Sequence, residues 1–148
     1  MIKEHYPKMY LYKRIVQAKL FIDMHYTKAI DIDNIADEAY FSKFHFIRLF
    51  KKIYGKTPHY YLTSVRIEKA KLLLQNNISV SEVCLSVGFE SLSSFSGLFK
   101  RVTGVNPSIY LVQQQHLKAE ISEKPLKFIP GCFVSQHGLD KKIAILKK

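Results

Sequence analysis

Arg48, with Ile47 beside it and Phe44 one helical turn before it, forms a set of side chains suited to reading the edge of a DNA base pair. A guanidinium can fork onto the paired acceptors of a guanine in the major groove, and outward apolar groups can pack against thymine methyls. Lys43, Lys51, Lys52 and Lys56 surround that set. Such charges suit phosphate oxygens, which position a protein without reporting sequence. Plainer readings compete: Phe44 and Ile47 could pack on a neighbouring helix, and the lysines could form an ordinary solvated face.

A second set follows 49 positions later. Ser42 to Leu62 reads SKFHFIRLFKKIYGKTPHYYL, and Ser91 to Leu111 reads SLSSFSGLFKRVTGVNPSIYL. Phe46, Leu49, Phe50, Lys51, Gly55, Pro58, Tyr61 and Leu62 all recur in register. One supersecondary unit is therefore used twice. Leu92, Ser93 and Ser96 are the candidate base-contacting residues of the second copy, and Lys100 and Arg101 the candidate phosphate contacts. Arg48 recurs as Gly97, so the second copy is the weaker reader.

The elements that must hold these residues follow from spacing and caps. Leu11, Ile15, Ala18 and Ile22 mark one face of an amphipathic helix from about Tyr10 to Tyr26. Asp31 or Asp33 can cap a short helix carrying Ile32, Ile35, Ala36 and Ala39, and a tight turn at Tyr40 and Phe41 leads to Ser42, the next cap. The helix after Ser42 is expected to bury Phe46, Leu49, Phe50 and Ile53 and to present Lys43, Phe44, Ile47, Arg48 and Lys51 outward. Gly55 ends it, and Thr57 with Pro58 starts a helix of roughly 19 residues, about 28 Å long. Along that helix Leu62, Val65, Ala70, Leu73 and Leu74 form an apolar arc from which Arg66 projects. A guanidinium placed there needs acceptors, and a carboxylate or helix-end carbonyls are favoured over DNA.

Asn76 and Asn77 end the long helix, and Ser79 to Glu82 forms a capping box for the next short one, which Gly88 stops. The second presenting helix is expected to bury Phe95, Leu98, Phe99 and Val102, with Gly104, Asn106 and Pro107 repeating the stop and start signals. Beyond Gln113 the pattern is lost. Residues 114 to 148 hold seven Lys against three acids, and Leu126 to Ile129 and Ile143 to Leu146 could be short strands, a packed extension or part of a basic, loosely ordered tail.

Composition narrows the partner. The 148 residues allow one core or two small ones, and 47% are apolar. Net charge is +11, and Ser42 to Lys71 carries eight basic residues against Glu68 alone, which points to a polyanion. The start of the chain lacks a signal-peptide core and no apolar run is long enough to span a membrane. A cytoplasmic, nucleoid-associated protein without membrane contact is expected. Cys84 and Cys132 suit a reduced pair with packing roles. The six His show no metal-binding spacing, the carboxylates no acid-base pairing, and no phosphate-binding glycine loop is present. No catalytic residue, metal or cofactor is assigned.

The stretches IADEAYFSKFHFIRLFKKIYGKTP, YLTSVRIEKAKLLL and VCLSVGFESLSSFSGLFKRVTGVNPSIY resemble the DNA-binding domain of AraC/XylS-type transcription regulators. The resemblance covers residues 8 to 113 and leaves 114 to 148 as a basic C-terminal extension. It implies an all-α fold of seven helices, with two helix-turn-helix units joined by a long helix and two recognition helices entering adjacent major-groove segments. Carried over by position, the family's base readers fall on Phe44, Ile47 and Arg48 and on Leu92, Ser93 and Gly97. The family usually has Arg where this chain has Gly97, and Tyr-Arg where it has Tyr110 and Leu111. The chain resembles a small single-domain activator or the isolated output domain of a larger regulator. The resemblance implies an activator that binds double-stranded DNA as a monomer and recruits RNA polymerase. A protein-interaction module that kept the fold but lost DNA reading, and a nonspecific nucleic-acid binder, are the alternatives.

Overall fold

The spacing of Leu11, Ile15, Ala18 and Ile22 becomes the inner face of α1 (His5–His25), in a computed structural model that describes residues 5–38 and 42–138. Ile15, Ala18 and Ile22 are buried, and Leu11 is half-buried. Asp31 accepts the amide of Asp33 at 3.3 Å and so caps α2 (Ile32–Glu38). Ala39, Tyr40 and Phe41, where the first tight turn is expected, lie outside the described residues. Next come α3 (Lys43–Tyr54) and α4 (Pro58–Gln75). Ile35, Ala36, Phe46, Phe50 and Leu62 complete the first core with the inner face of α1.

The second core repeats this arrangement with different partners. α5 (Val80–Ser86), α6 (Leu92–Thr103) and α7 (Pro107–Glu123) pack around the latter part of α4. Ile67, Ala70, Leu74, Val83, Cys84, Val87, Phe89, Phe95 and Phe99 are buried together. Burying each phenylalanine contributes about 2–3 kcal/mol. Burial pushes the Cys84 thiol up from its ordinary pKa, whereas Cys132 is exposed, so the packing role expected of both cysteines holds for Cys84 only.

The duplication extends to ring geometry. Phe46 and Phe50 lie 5.7 Å apart between centroids, as do Phe95 and Phe99. Tyr61 stands edge-on to Phe50 at 5.6 Å, and its counterpart Tyr110 edge-on to Phe99 at 5.4 Å. Each tyrosine is also tied to the helix that braces its unit. Tyr61 donates to Asp23 Oδ1 of α1 at 2.7 Å, and Tyr110 accepts from Gln75 Nε2 of α4 at 3.0 Å. Asp23 also pairs with Lys19 at 2.8 Å.

Five expectations change. Ile53 and Val102 are 39% and 40% exposed, although Tyr54 beside Ile53 still packs on the first core. Thr63 and Ile67 join the buried side of α4, while Val65 and Leu73 are half-buried. Asn106 holds the cap position of α7 without a side-chain cap bond. The helix then runs ten residues past Gln113, and its Lys118 ammonium donates to the Gln75 carbonyl at the end of α4. Leu126 and its neighbours form a 3-10 turn (Pro125–Phe128) rather than a strand, and α8 (Gly131–Gln136) follows. Ile143 to Leu146 lie outside the described residues. No strand occurs among those described, so the fold is all-α, with helix-turn-helix units at α2–α3 and α5–α6.

The Lys19, Asp23 and Tyr61 cluster makes stability sensitive to alkali. Bonding to Asp23, and then to Tyr61, raises the Lys19 pKa, and burial, then the Asp23 bond, raises that of Tyr61. Folding therefore favours the protonated form of both groups, and their stabilisation is complete below about pH 10 and lost as pH rises through the folded values. Tyr61→Phe should lower stability at about pH 8 by roughly 1–2 kcal/mol. It should also flatten the decline above about pH 10 relative to the parent. Urea unfolding at a series of pH values measures both.

Candidate nucleic-acid interface

Each presenting helix is defined by the same two backbone devices. The Ser42 hydroxyl accepts the His45 amide at 3.4 Å to start α3, and the Ser91 hydroxyl accepts the Ser94 amide at 3.2 Å to start α6. Gly55 and Gly104 end them with φ of +74° and +87°, in the left-handed region that suits glycine. These caps fix which turn of each helix reaches outward.

On α3 the core takes Phe46 and Phe50, which leaves Phe44, Arg48, Lys51 and Lys52 exposed on the far side. Phe44 is 77% exposed, an unusual position for a phenylalanine inside a helix. Arg48 has no hydrogen-bond or ion-pair partner among the described residues. Ile47 stands apart from this pair. It is half-buried and packs on the first core, so it forms the shoulder of the face instead of its crest.

The phosphate candidates are all at the surface. Lys43 pairs with Asp33 of α2 at 3.1 Å, with both side chains about half exposed. Such a pair is worth at most about 1 kcal/mol and exchanges readily for another anion. Lys51 and Lys52 occupy the last turn of α3, and Lys100 and Arg101 that of α6, where the carbonyl end of a helix favours cations. Lys56 places its ammonium 5.5 Å from the centre of the Tyr60 ring. Tyr60 is itself exposed and was not marked by the sequence, where its neighbour Tyr61 carries the recurring core position.

The second face is flatter. Leu92 is exposed, but the Ser93 hydroxyl lies 3.4 Å from the capping Ser91 hydroxyl and belongs to the serine cluster at the helix start. Ser96 is half-buried, as Ile47 is one repeat earlier. Gly97 is exposed, and a Cβ there would meet nothing within 4 Å. Between the units lies an open groove of about 860 Å³, lined by both Asp31 and Glu90 as well as His59 and Arg66. Its two carboxylates make it a poor site for phosphate, unlike the outward faces of α3 and α6. Among the described residues no helix is long and apolar enough to cross a membrane.

A family model for a helix-turn-helix domain matches residues 35–113, just over half of the chain. The chain is 34% identical over 97 residues to the HTH-type transcriptional activator AarP of Providencia stuartii, covering 65% of this chain and 72% of that protein. It is 36% identical over 111 residues to the HTH-type transcriptional regulator YdeC of Bacillus subtilis (strain 168), covering 74% of this chain and 35% of that one. Several such relatives are much longer than the matched region, the chain spanning 35% to 42% of three of them. Among solved structures it is similar to the DNA-binding domain of the global transcriptional factor AdpA in complex with a target DNA. The TM-score there is 0.65 at 28% identity, over 75% of this chain and 96% of that one. A Chromobacterium violaceum transcriptional regulator described by its AraC-type DNA-binding domain gives 0.62 at 25% identity, over 69% and 92% of the two chains.

The different settings of Phe44 and Ile47 can be separated by stability alone. Ile47→Ala should cost roughly 1–2 kcal/mol, since it empties part of the first core's edge. Phe44→Ala should change stability by less than about 0.5 kcal/mol, because its ring touches little of the fold. Urea denaturation of the two variants checks the difference.

Proposed function

We propose that this chain, which belongs to the AraC-type helix-turn-helix family, is a sequence-specific DNA-binding regulator of transcription. In this reading α3 and α6 enter adjacent major-groove segments, which in B-DNA recur about 34 Å apart. α4, at 18 residues, is about 27 Å long and suits that repeat once the width of the units it carries is added. The observation that carries the proposal is the outward face of α3. Arg48, without a partner among the described residues, and solvent-facing Phe44 lie together on it, and Lys51 and Lys52 follow within the same helix.

The two units take unequal shares. Arg48 reads a guanine edge, Phe44 packs on a thymine methyl, and Ile47 closes the shoulder of that contact. Leu92 offers one apolar contact on the second face, Ser93 and Ser96 offer hydroxyls that discriminate little between bases, and Gly97 offers no side chain. Lys43, Lys51, Lys52, Lys56, Lys100 and Arg101 hold phosphates. The DNA-binding unit is assigned to residues 8–113, and residues 114–148 to a basic extension that begins by continuing α7. Activation, with RNA polymerase as the partner, is the direction favoured by the likeness to AarP, whose name describes an activator.

Two substitutions distinguish reading from gripping. Arg48→Ala should cost roughly 1–3 kcal/mol on a selected site and relax the preference at one base position, measured by gel-shift titration against single-base variants of that site. Unchanged affinity and selectivity would exclude Arg48 as a reader. Lys51→Ala should weaken binding to every duplex alike and reduce the slope of log affinity against log salt by about 1. A salt titration in which that slope stays the same would remove Lys51 from the phosphate contacts.

A further inference from the structure

The two units have separate cores, and among the described residues α4 is the one helix built into both. A rod of that kind sets how far apart two recognition helices lie, but it leaves their relative tilt open to bending and twisting. A second connection exists at the turn following α1. Arg66, in the middle of α4, donates from Nε to the Tyr26 carbonyl at 2.7 Å and from Nη2 to the Lys28 carbonyl at 2.8 Å. The same guanidinium lies 5.5 Å from the centre of the Phe89 ring, in the turn between α5 and α6. Gly88, next to Phe89, has φ +91°, and a Cβ there would stand 2.8 Å from the carbonyl oxygens of both Tyr26 and Thr27. The backbone of the second unit's turn is therefore seated directly on the segment that leaves α1.

We infer that Arg66 is a positioning residue whose grip on the Tyr26 and Lys28 carbonyls, beneath Phe89, sets the tilt between the two recognition helices and so selects the spacing between two half-sites. The inference rests on the proposed DNA binding and assigns Arg66 no contact with DNA. Its physical basis is the geometry of the guanidinium, a planar fork whose separate N–H groups reach two carbonyls while its face lies on an aromatic ring. An ammonium has no flat face to lay on the ring while it donates to both carbonyls. Tyr26 and Lys28 lie in the turn just past the carbonyl end of α1, whose partial negative charge favours a cation. Burial lowers the Arg66 pKa, in keeping with a guanidinium withdrawn from water into this contact. Holding the tilt before DNA arrives spares the complex the cost of ordering one unit relative to the other, so a correctly spaced pair of half-sites gains most.

The test uses the full chain with Cys132→Ser, carrying spin labels at Lys13→Cys on α1 and Ser81→Cys on α5, both exposed and neither on a presenting helix. Double electron–electron resonance should give a narrow distance distribution, and Arg66→Gln should broaden it. Gly88→Ala should broaden it as well, by driving a methyl into the Tyr26 and Thr27 carbonyls. Gly104→Ala has the same left-handed strain with open space around it, and should not. In parallel, selection from a duplex library with variable spacing should show the parent preferring one separation of half-sites. Arg66→Gln should bind that separation about tenfold more weakly and accept neighbouring ones nearly as well. Equal distance distributions in the parent, Arg66→Gln and Gly88→Ala would overturn the inference, and so would an unchanged spacing preference. Broadening in both variants with no DNA selectivity in the parent would instead overturn the proposed function and the half-site consequence, and leave the mechanical role of Arg66 standing.

Discussion

Leu62 and Ile67 are five residues apart on one helix, yet they are buried in different cores. At 3.6 residues per turn their side chains point about 140° apart around the axis. A helix in that situation must be apolar over much of its circumference, and α4 buries Pro58, Leu62, Thr63, Ile67, Ala70 and Leu74 in turn. α1 and α3 pack on one part of this rod, and α5, α6 and α7 on the other. For the first unit α4 supplies the closing wall, and for the second it supplies the brace that α1 supplies to the first. Tyr61 and Tyr110 mark that exchange of roles, since each stands on the phenylalanine of its presenting helix and bonds back to its own brace.

This sharing explains why the repeat is strict inside and loose outside. The interior positions have to reproduce the same ring contacts on both sides of one rod, and Phe46, Phe50 and Tyr61 recur as Phe95, Phe99 and Tyr110 with centroid distances that agree within a few tenths of an ångström. The outward positions meet no such demand. Arg48 gives way to Gly97 at a site where space is open in every direction, so packing does not resist the change. Packing also does not explain the glycine, which in the middle of a helix costs about 0.5–1 kcal/mol relative to alanine. The two faces therefore present unequal chemistry on closely similar scaffolds, with basic residues in the last turns of α3 and α6 and with Asp31 and Glu90 in the groove between the units.

The helices up to the start of α7, most of their caps and the two phenylalanine pairs were legible in the chain because the forces that make them act over one to four residues. A hydroxyl reaches an amide three positions on, a glycine stops a helix at its own φ, and a three-and-four spacing marks the side that must leave water. Helix ends at Ser42, Gly55, Thr57, Ser79, Ser91 and Gly104 were readable for that reason. The fates of Ile53 and Val102 were not. By periodicity both belong to the core side, but burial at a last turn depends on whether a partner helix extends that far. Ile47 shows the same dependence at the shoulder of α3, where the first core claims part of a side chain that spacing alone turns outward.

Sequence by itself determined a helical unit used twice, a basic outward face on each copy, and an Arg48 in the first copy that the second replaces with Gly97. Tertiary structure alone decided how those units are held. That Arg66 needed acceptors followed from an apolar helix face, but that they are the carbonyls of Tyr26 and Lys28 depends on bringing together residues about forty positions apart. The positive φ of Gly88 was foreseeable as a helix stop, whereas its contact with the Tyr26 and Thr27 carbonyls required both units to be in place. Local rules fix where a helix begins, ends and faces, and they carry no information about which distant backbone will come to rest against it.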